Sequence, residues 1–336
     1  MQSLPVRKIG PFQVSAIGLG CMNLSHAYGH PPSEEDGIRL LNRALDLGVT
    51  FFDTAAIYGL GANERLIRKA IIHRRKEFTL ASKCVLDSDG ENRVLDARPD
   101  VIFKTLDAAL QRLGTDHIDL YYMHRPDKNV PIEDSVGALA GAVQDGKIGA
   151  IGLSEMSASA IRRAHAVYPI AAAQYEYSPA VRNPEIAVLD TCRELGIGFV
   201  SFSPVARGLL AGAVRDDHYV EGDIRRQMPR FLEPNLSHNL KAVAQFEQLA
   251  AALGHTPAQL SLAWVLAKGN DIVPIPGTRS IAHLEEDLKA ADIRLDEEAI
   301  RRIEEIFSRK AIQGGRYSTM MQAMVGTETF PDEEMA

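Results

Sequence analysis

The chain has 336 residues, of which 46% are hydrophobic and 24% charged, and a formal net charge of -7. Its length suits one closed α/β barrel around a large core, so residues 1–336 are expected to form one domain. The acidic balance argues against a general nucleic-acid or anionic-membrane surface, and three cysteines without Cys-x-x-Cys spacing (Cys21, Cys84 and Cys192) argue against a disulfide framework or a zinc site.

The first residues lack the apolar core and cleavage site of a signal peptide, and no run of about 18 uncharged apolar residues occurs, so a soluble, unprocessed, cytoplasmic protein is expected. Residues 4 to 15 place Gly10-Pro11 between two short extended segments, which predicts a hairpin able to plug one end of a barrel. Apolar runs of strand length follow at 16–20, 49–53, 78–83, 118–124, 148–154, 171–174, 198–203 and 271–276. Between them apolar residues recur three and four apart, as at Ile38, Leu41, Ala44 and Leu45 or Leu106, Ala109, Leu110 and Leu113, the period of a helix face. Near-continuous apolar strands suit a parallel sheet buried on both faces, and eight such units close a (β/α)8 (TIM) barrel; an open doubly wound sheet is the alternative. After the seventh run, residues 204 to about 239 are polar and broken by glycine and proline, a long loop at the barrel mouth. A tail from about 310 to 336 either lies over that mouth or is loose.

Asp53, Lys83 and His124 each close one of these runs, and Tyr58 follows Asp53 by five residues. Singly, each is more often a packing or ion-pair residue. Together they would meet at the rim where barrel enzymes build their sites. An ammonium stabilises a phenolate and so draws down a tyrosine pKa, a carboxylate keeps that ammonium charged, and a histidine can orient a carbonyl oxygen. The set suits protonation of an oxygen that becomes negative as hydride arrives at its carbon.

The stretch Gly48-Val-Thr-Phe-Phe-Asp-Thr-Ala-Ala-Ile-Tyr-Gly, with Asn63-Glu64 after it, resembles the signature of the aldo-keto reductase family, whose Asp, Tyr, Lys and His tetrad matches Asp53, Tyr58, Lys83 and His124. The resemblance implies the barrel, reversible NADPH-dependent reduction of aldehydes or ketones to alcohols, and no metal. An NADP-binding regulatory subunit, like the channel-associated β-subunits of the family, is the alternative, and a Schiff-base role for Lys83 in an isomerase or lyase is a further one.

No Gly-x-Gly-x-x-Gly motif opens a helix after a strand, which argues against a Rossmann domain. Ser154 and Gln174 could instead hold the nicotinamide carboxamide, and Phe202 offers a stacking face. The segment Ser203-Pro204-Val-Ala-Arg207-Gly208-Leu209 resembles the family's pyrophosphate-gripping turn. Pro276-Gly277-Thr278-Arg279 leads from a strand into a helix start, an anion site. The resemblance puts the adenosine 2′-phosphate there, which favours NADPH over NADH, and puts the adenine edge at Glu286 and Asp287. The chain departs from the family at Glu155 and Asp287, where relatives often carry Asn, and at Arg68, where glycine is usual. An acid at 287 is expected to accept but not donate. Met22, Asn23, Leu24, Ile57 and Arg125 are expected to shape a pocket for a small carbonyl or alcohol substrate. No nucleic-acid or membrane partner is expected, and a homo-oligomer is left open.

Overall fold

The computed structural model describes residues 4–88, 90 and 93–333. An antiparallel hairpin, β1 (Val6–Ile9) and β2 (Phe12–Ser15), precedes β3 (Leu19–Gly20), β4 (Phe51–Asp53) and β5 (Thr79–Cys84). A second hairpin, β6 (Leu86–Ser88) with β7 (Arg93–Leu95), interrupts the series before β8 (Ile118–Met123), β9 (Ile148–Ser154), β10 (Ile170–Glu176), β11 (Gly198–Phe202) and β12 (Ile272–Ile275). Strands β3, β4, β5 and β8 to β12 form one parallel sheet in that order. The N–H groups of Gly18 and Gly20 donate to the carbonyls of Pro274 and Pro276, each at 3.0 Å, and so bring the first strand against the last. The result is a nearly closed (β/α)8 barrel.

Helices α1 (Glu34–Asp46), α2 (Ala62–Ile71), α3 (Pro99–Leu113), α4 (Ile132–Gln144), α5 (Ala158–Val167) and α6 (Val188–Leu195) occupy the first six crossovers. Further along lie α7 (Asn235–Ala252), α8 (Pro257–Ala267), α9 (Ile281–Leu288), α10 (Glu297–Ile306) and the short α11 (Thr319–Gln322). The sequence sets their ends locally: the Ser33 side chain caps α1 by accepting from the Asp36 N–H, and α3 starts on Pro99 and stops at left-handed Gly114. Leu106, Ala109, Leu110 and Leu113 of α3 are buried, as their spacing predicts.

Phe51, Ala81, Leu120, Tyr122, Val200 and Val273 fill the barrel interior, joined by Ile9 and Val14 of the first hairpin. Each large apolar side chain buried there contributes roughly 1.5–3 kcal/mol. Gly152 has no side chain because the Tyr122 ring occupies the space: a Cβ would lie 2.3 Å from it. The first hairpin seals the end where the strands begin, where Arg7 donates to the carbonyls of Leu266 (2.8 Å) and Gly269 (2.6 Å). It leaves the carboxyl ends of the strands as the open rim.

Two parts of the sequence reading need correction, and one alternative left open is decided. The connection after β11 ends at Pro234, since α7 begins at Asn235, and it holds three short 3-10 stretches at Ala206–Ala211, Ile224–Gln227 and Pro229–Phe231. Turns of that length carry no periodic signal, although Leu209, Leu210, Met228 and Phe231 anchor them in the core. Hairpin β6–β7 has no counterpart among the expected elements, because its strands are three residues long and half exposed. The tail is not loose: Arg316, Tyr317, Val325 and Thr327 are buried across the mouth.

Candidate active site

Asp53 ends β4, Lys83 is the penultimate residue of β5, and His124 follows β8 directly. Parallel neighbours in register deliver them to the same rim, with Asp53 beside Ala81 and Lys83 beside Tyr122. Tyr58 comes from the β4–α2 loop, which is pinned by two buried side chains of α2. The Asn63 amide donates to the Cys21 carbonyl (2.8 Å) and accepts from Thr54 (2.6 Å), while Glu64 accepts from Ser82 (2.7 Å) and Arg112 (2.5 Å). That accounts for Asn-Glu in the signature. Arg68 lies on the outer side of α2, where it donates to the Gln111 carbonyl of α3 (3.3 Å) and does not reach the chemistry.

The Lys83 ammonium donates to Asp53 Oδ1, to the Thr54 carbonyl (2.8 Å) and to the Tyr58 hydroxyl (3.4 Å). Gln174 Nε2 holds the other Asp53 oxygen at 2.7 Å. The Tyr58 and His124 rings meet edge to face at 5.8 Å. Burial pulls the Lys83 pKa down, but Asp53 and Tyr58 overcome it and keep the ammonium charged. Burial pushes the Asp53 carboxyl up against the downward pull of Lys83 and Gln174. Burial also raises the Tyr58 phenol, and Lys83 and Arg125 only partly offset this, so its pKa lies above that of a free tyrosine rather than below it as the sequence suggested. Tyr58 thus keeps its proton at neutral pH, as an acid must. Burial, then Arg125, Lys83 and Arg93, hold His124 well below its usual value, so it is neutral and able to donate one N–H.

A cavity of about 540 Å³ runs from Tyr58 and His124 past Phe202 and Ser203 to Thr278, Arg279 and Asp287. Its volume lies in the range of cofactor clefts, roughly 300–1,000 Å³. Met22, Asn23, Ile57 and Arg125 line it as expected, whereas Leu24 is 4% exposed and packs into the core. Gln174, Pro204, Gly208, Gly277 and Glu286 also line it. Leu209, Pro276 and Ser154 are buried behind its wall, and the Ser154 hydroxyl accepts from Arg125 at 3.2 Å. Arg207, expected near a pyrophosphate, lines the cavity and is held there by a buried ion pair with Glu176 at 2.8 Å. Arg279 is exposed at the foot of α9, bound through one nitrogen to the His30 carbonyl (2.5 Å). Glu286 accepts from Thr256 (2.6 Å).

Glu155, Ser203, Ala206 and Arg207, all non-glycine, adopt left-handed backbone at the rim, with φ of 52°, 49°, 48° and 57°. Such strain persists only where surrounding contacts over-determine it, and it clusters at functional sites. Sequence reading missed Arg93, Tyr317 and Met321, which also line the cavity. Their signal is weak, since they lie in the short hairpin and in the tail.

Asp287 changes the expectation made for an acid at that position. Burial, reinforced by Glu286, raises its pKa to about 7, so near neutral pH its carboxyl is partly protonated and able to donate, as an Asn amide would. Because the folded pKa exceeds the unfolded one, the native state keeps a proton that the unfolded chain loses. Stability from this site therefore falls as pH rises from about 4 to 7 and is level above. Asp287→Asn should raise the melting temperature by several degrees at pH near 8, an effect on the order of 2–4 kcal/mol, with no gain near pH 4. A gain of equal size at both pH values would refute the assignment.

A sequence model described as the aldo/keto reductase family matches residues 16–308. The chain is 45% identical over 337 residues to aldo-keto reductase yakc [NADP(+)] of Schizosaccharomyces pombe, covering 98% of this chain and 99% of that one. It is 40% identical over 339 residues to aldo-keto reductase str7 of Strobilurus tenacellus, with 98% and 99% covered. Among solved structures, the glycerol dehydrogenase AKR11B4 from Gluconobacter oxydans superposes with a TM-score of 0.83 at 27% identity, covering all of both chains. The holo form of aldo-keto reductase AKR11C1 from Bacillus halodurans superposes with a TM-score of 0.75 at 25% identity, over 90% of this chain and 96% of that one. With Asp53, Lys83, Tyr58 and His124 gathered at the mouth of such a barrel, the chain belongs to the aldo/keto reductase family.

Proposed function

We propose that the protein is an NADPH-dependent oxidoreductase that reduces aldehydes or ketones to alcohols and runs in reverse when the cofactor ratio favours oxidation. The contact that carries this reading is Lys83 Nζ, locked to Asp53 and 3.4 Å from the Tyr58 hydroxyl at the inner end of the cavity. When bound, NADPH supplies the hydride. Tyr58 donates its proton to the carbonyl oxygen, neutral His124 orients that oxygen by a hydrogen bond, and the Lys83 ammonium stabilises the phenolate left behind. Asp53 and Gln174 keep Lys83 in place, and the barrel core excludes water beneath it.

The cavity supports the cofactor choice. Gly277 lets the chain pass close to β3: a Cβ there would lie 3.0 Å from the Gly20 carbonyl, and the Gly277 carbonyl accepts from Asn23 at 3.1 Å. Arg279 and the start of α9, capped by Ser280, then offer a cation and backbone donors for a 2′-phosphate. Phe202 is half-buried on the wall between Arg279 and the tetrad, where a nicotinamide ring could stack. The relative in Schizosaccharomyces pombe is itself named for NADP(+). A cytoplasmic setting fits three buried, unpaired thiols. No helix among the described residues is long and apolar enough to cross a membrane.

The test is oxidation of NADPH against NADH over a panel of aldehydes and ketones, repeated with Arg279→Gln. The expected outcome is a preference for NADPH that falls about tenfold or more in the variant, through KM for the cofactor. Equal use of NADH by the wild type would remove the role given to Arg279.

A further inference from the structure

Three charged groups on the cavity wall are matched by an opposite charge. Asp53 has Lys83, Arg207 has Glu176 at 2.8 Å, and Arg225 has Asp223 at 2.7 Å. Arg93 and Arg125 differ. Both line the cavity beside Tyr58 and His124, and among the described residues neither has a carboxylate partner. Arg125 donates through one nitrogen to the His124 carbonyl (2.6 Å) and the Ser154 hydroxyl (3.2 Å), and its guanidinium lies 5.9 Å over the Phe202 ring. Its other nitrogens have no protein acceptor among the described residues. Arg93 reaches the same region from β7, in the hairpin that departs from a minimal barrel.

Two guanidinium groups facing one half-buried cleft repel one another and lose hydration, and a bound anion offsets both costs. Burial lowers the proton affinity of Arg93, and the neighbouring Arg125 charge lowers it further. The 2′-phosphate of the cofactor would sit at the other end of the cavity, with Arg279. An anion at Arg93 and Arg125 would instead lie beside the proton donor and so belong to the substrate. Arginine forks match carboxylate and phosphate oxygens in pairs.

We propose that Arg93 and Arg125 form an anion subsite, and that the substrate is an aldehyde or ketone carrying a carboxylate or phosphate a few bonds from its carbonyl. The proposal rests on the reductase reading above. The carbonyl carbon gains hydride and its oxygen gains the Tyr58 proton, while the anionic group passes through unchanged.

The experiment compares NADPH oxidation with para-carboxybenzaldehyde, its methyl ester and para-formylphenyl phosphate. Wild type should favour at least one anionic probe over the ester by roughly 10- to 100-fold in kcat/KM, and added salt should shrink that ratio. Preference between the two anionic probes identifies carboxylate or phosphate as the source. Arg93→Met should collapse the ratio and Arg93→Lys should restore part of it. A calorimetric titration with para-(hydroxymethyl)benzoate gives a second readout without cofactor, and binding should weaken by a similar factor in Arg93→Met. If the ester is reduced as well as the anionic probes, or if Arg93→Met lowers all three equally, the subsite is wrong while the reductase reading stands. If no probe is reduced, the reductase reading fails, and the titration still decides the subsite.

Discussion

Replacing Tyr58 with phenylalanine is expected to lower kcat for carbonyl reduction by about 10²–10⁴-fold, the usual contribution of a positioned general acid, while NADPH affinity changes little. The Tyr58 hydroxyl touches Lys83, and its ring packs on His124, so a phenylalanine ring in its place would keep the packing and lose only the proton. The pH profile gives an independent reading of the same residue. With its pKa above the ordinary tyrosine value, Tyr58 stays protonated through neutrality, so reduction should be flat from about pH 6 to 9 and fall only in alkali. Alcohol oxidation needs the phenolate and should rise with pH across the same interval. Lys83→Met should abolish both directions, but it leaves Asp53 buried without its cation, a change that costs about 3–5 kcal/mol on its own. Asp53→Asn with Lys83→Met removes both charges and separates catalysis from folding. Full turnover in Tyr58→Phe would remove the proton-donor assignment.

The parts of this site that the sequence revealed are those fixed by strand ends. Asp53, Lys83 and His124 each lie at the end of an apolar run, and parallel register converts that linear position into a shared rim. The same logic located all eight barrel strands, although their bounds differ from the apolar runs: β10 is longer than its run, while Val49 and Thr50 precede β4, with Thr50 Oγ1 accepting from the Ser15 N–H of the first hairpin. What local pattern does not encode is which partner a charged side chain finds across the fold. Arg207 stands in a turn that resembles a pyrophosphate grip, and nothing local shows that Glu176, 31 positions earlier, holds its guanidinium. Leu24 stands beside two pocket residues, but the single helical turn Met22–Leu24 points it into the core. Arg93 and the tail residues Tyr317 and Met321 escape the sequence for the opposite reason: their places come from long-range packing onto the rim, and neither segment carries periodicity.

Glu155 and Arg316 are where the tail is held, and breaking that pair should be strongly destabilising. Glu155 follows β9 in left-handed backbone, a conformation that Asn tolerates better than Glu and that costs a longer side chain roughly 1–2 kcal/mol. Its carboxylate compensates by accepting from Arg316 at 3.1 Å, from Thr327 at 2.5 Å and from the Glu176 N–H at 2.9 Å, all buried. Thus the departure from Asn serves to anchor the chain beyond Phe307. Arg316→Leu leaves the carboxylate buried without its cation and should cost about 3–5 kcal/mol in urea denaturation. The tail should then become sensitive to limited proteolysis. Because Tyr317 and Met321 line the cavity, KM for bulky carbonyl substrates should change even where the barrel stays folded. The double variant Glu155→Leu with Arg316→Leu distinguishes a charge effect from simple loss of packing: removing both ions should recover much of the stability lost by either alone. If the two losses simply add, the pair is not coupled, and the tail is held by the apolar contacts of Tyr317 and Val325 instead.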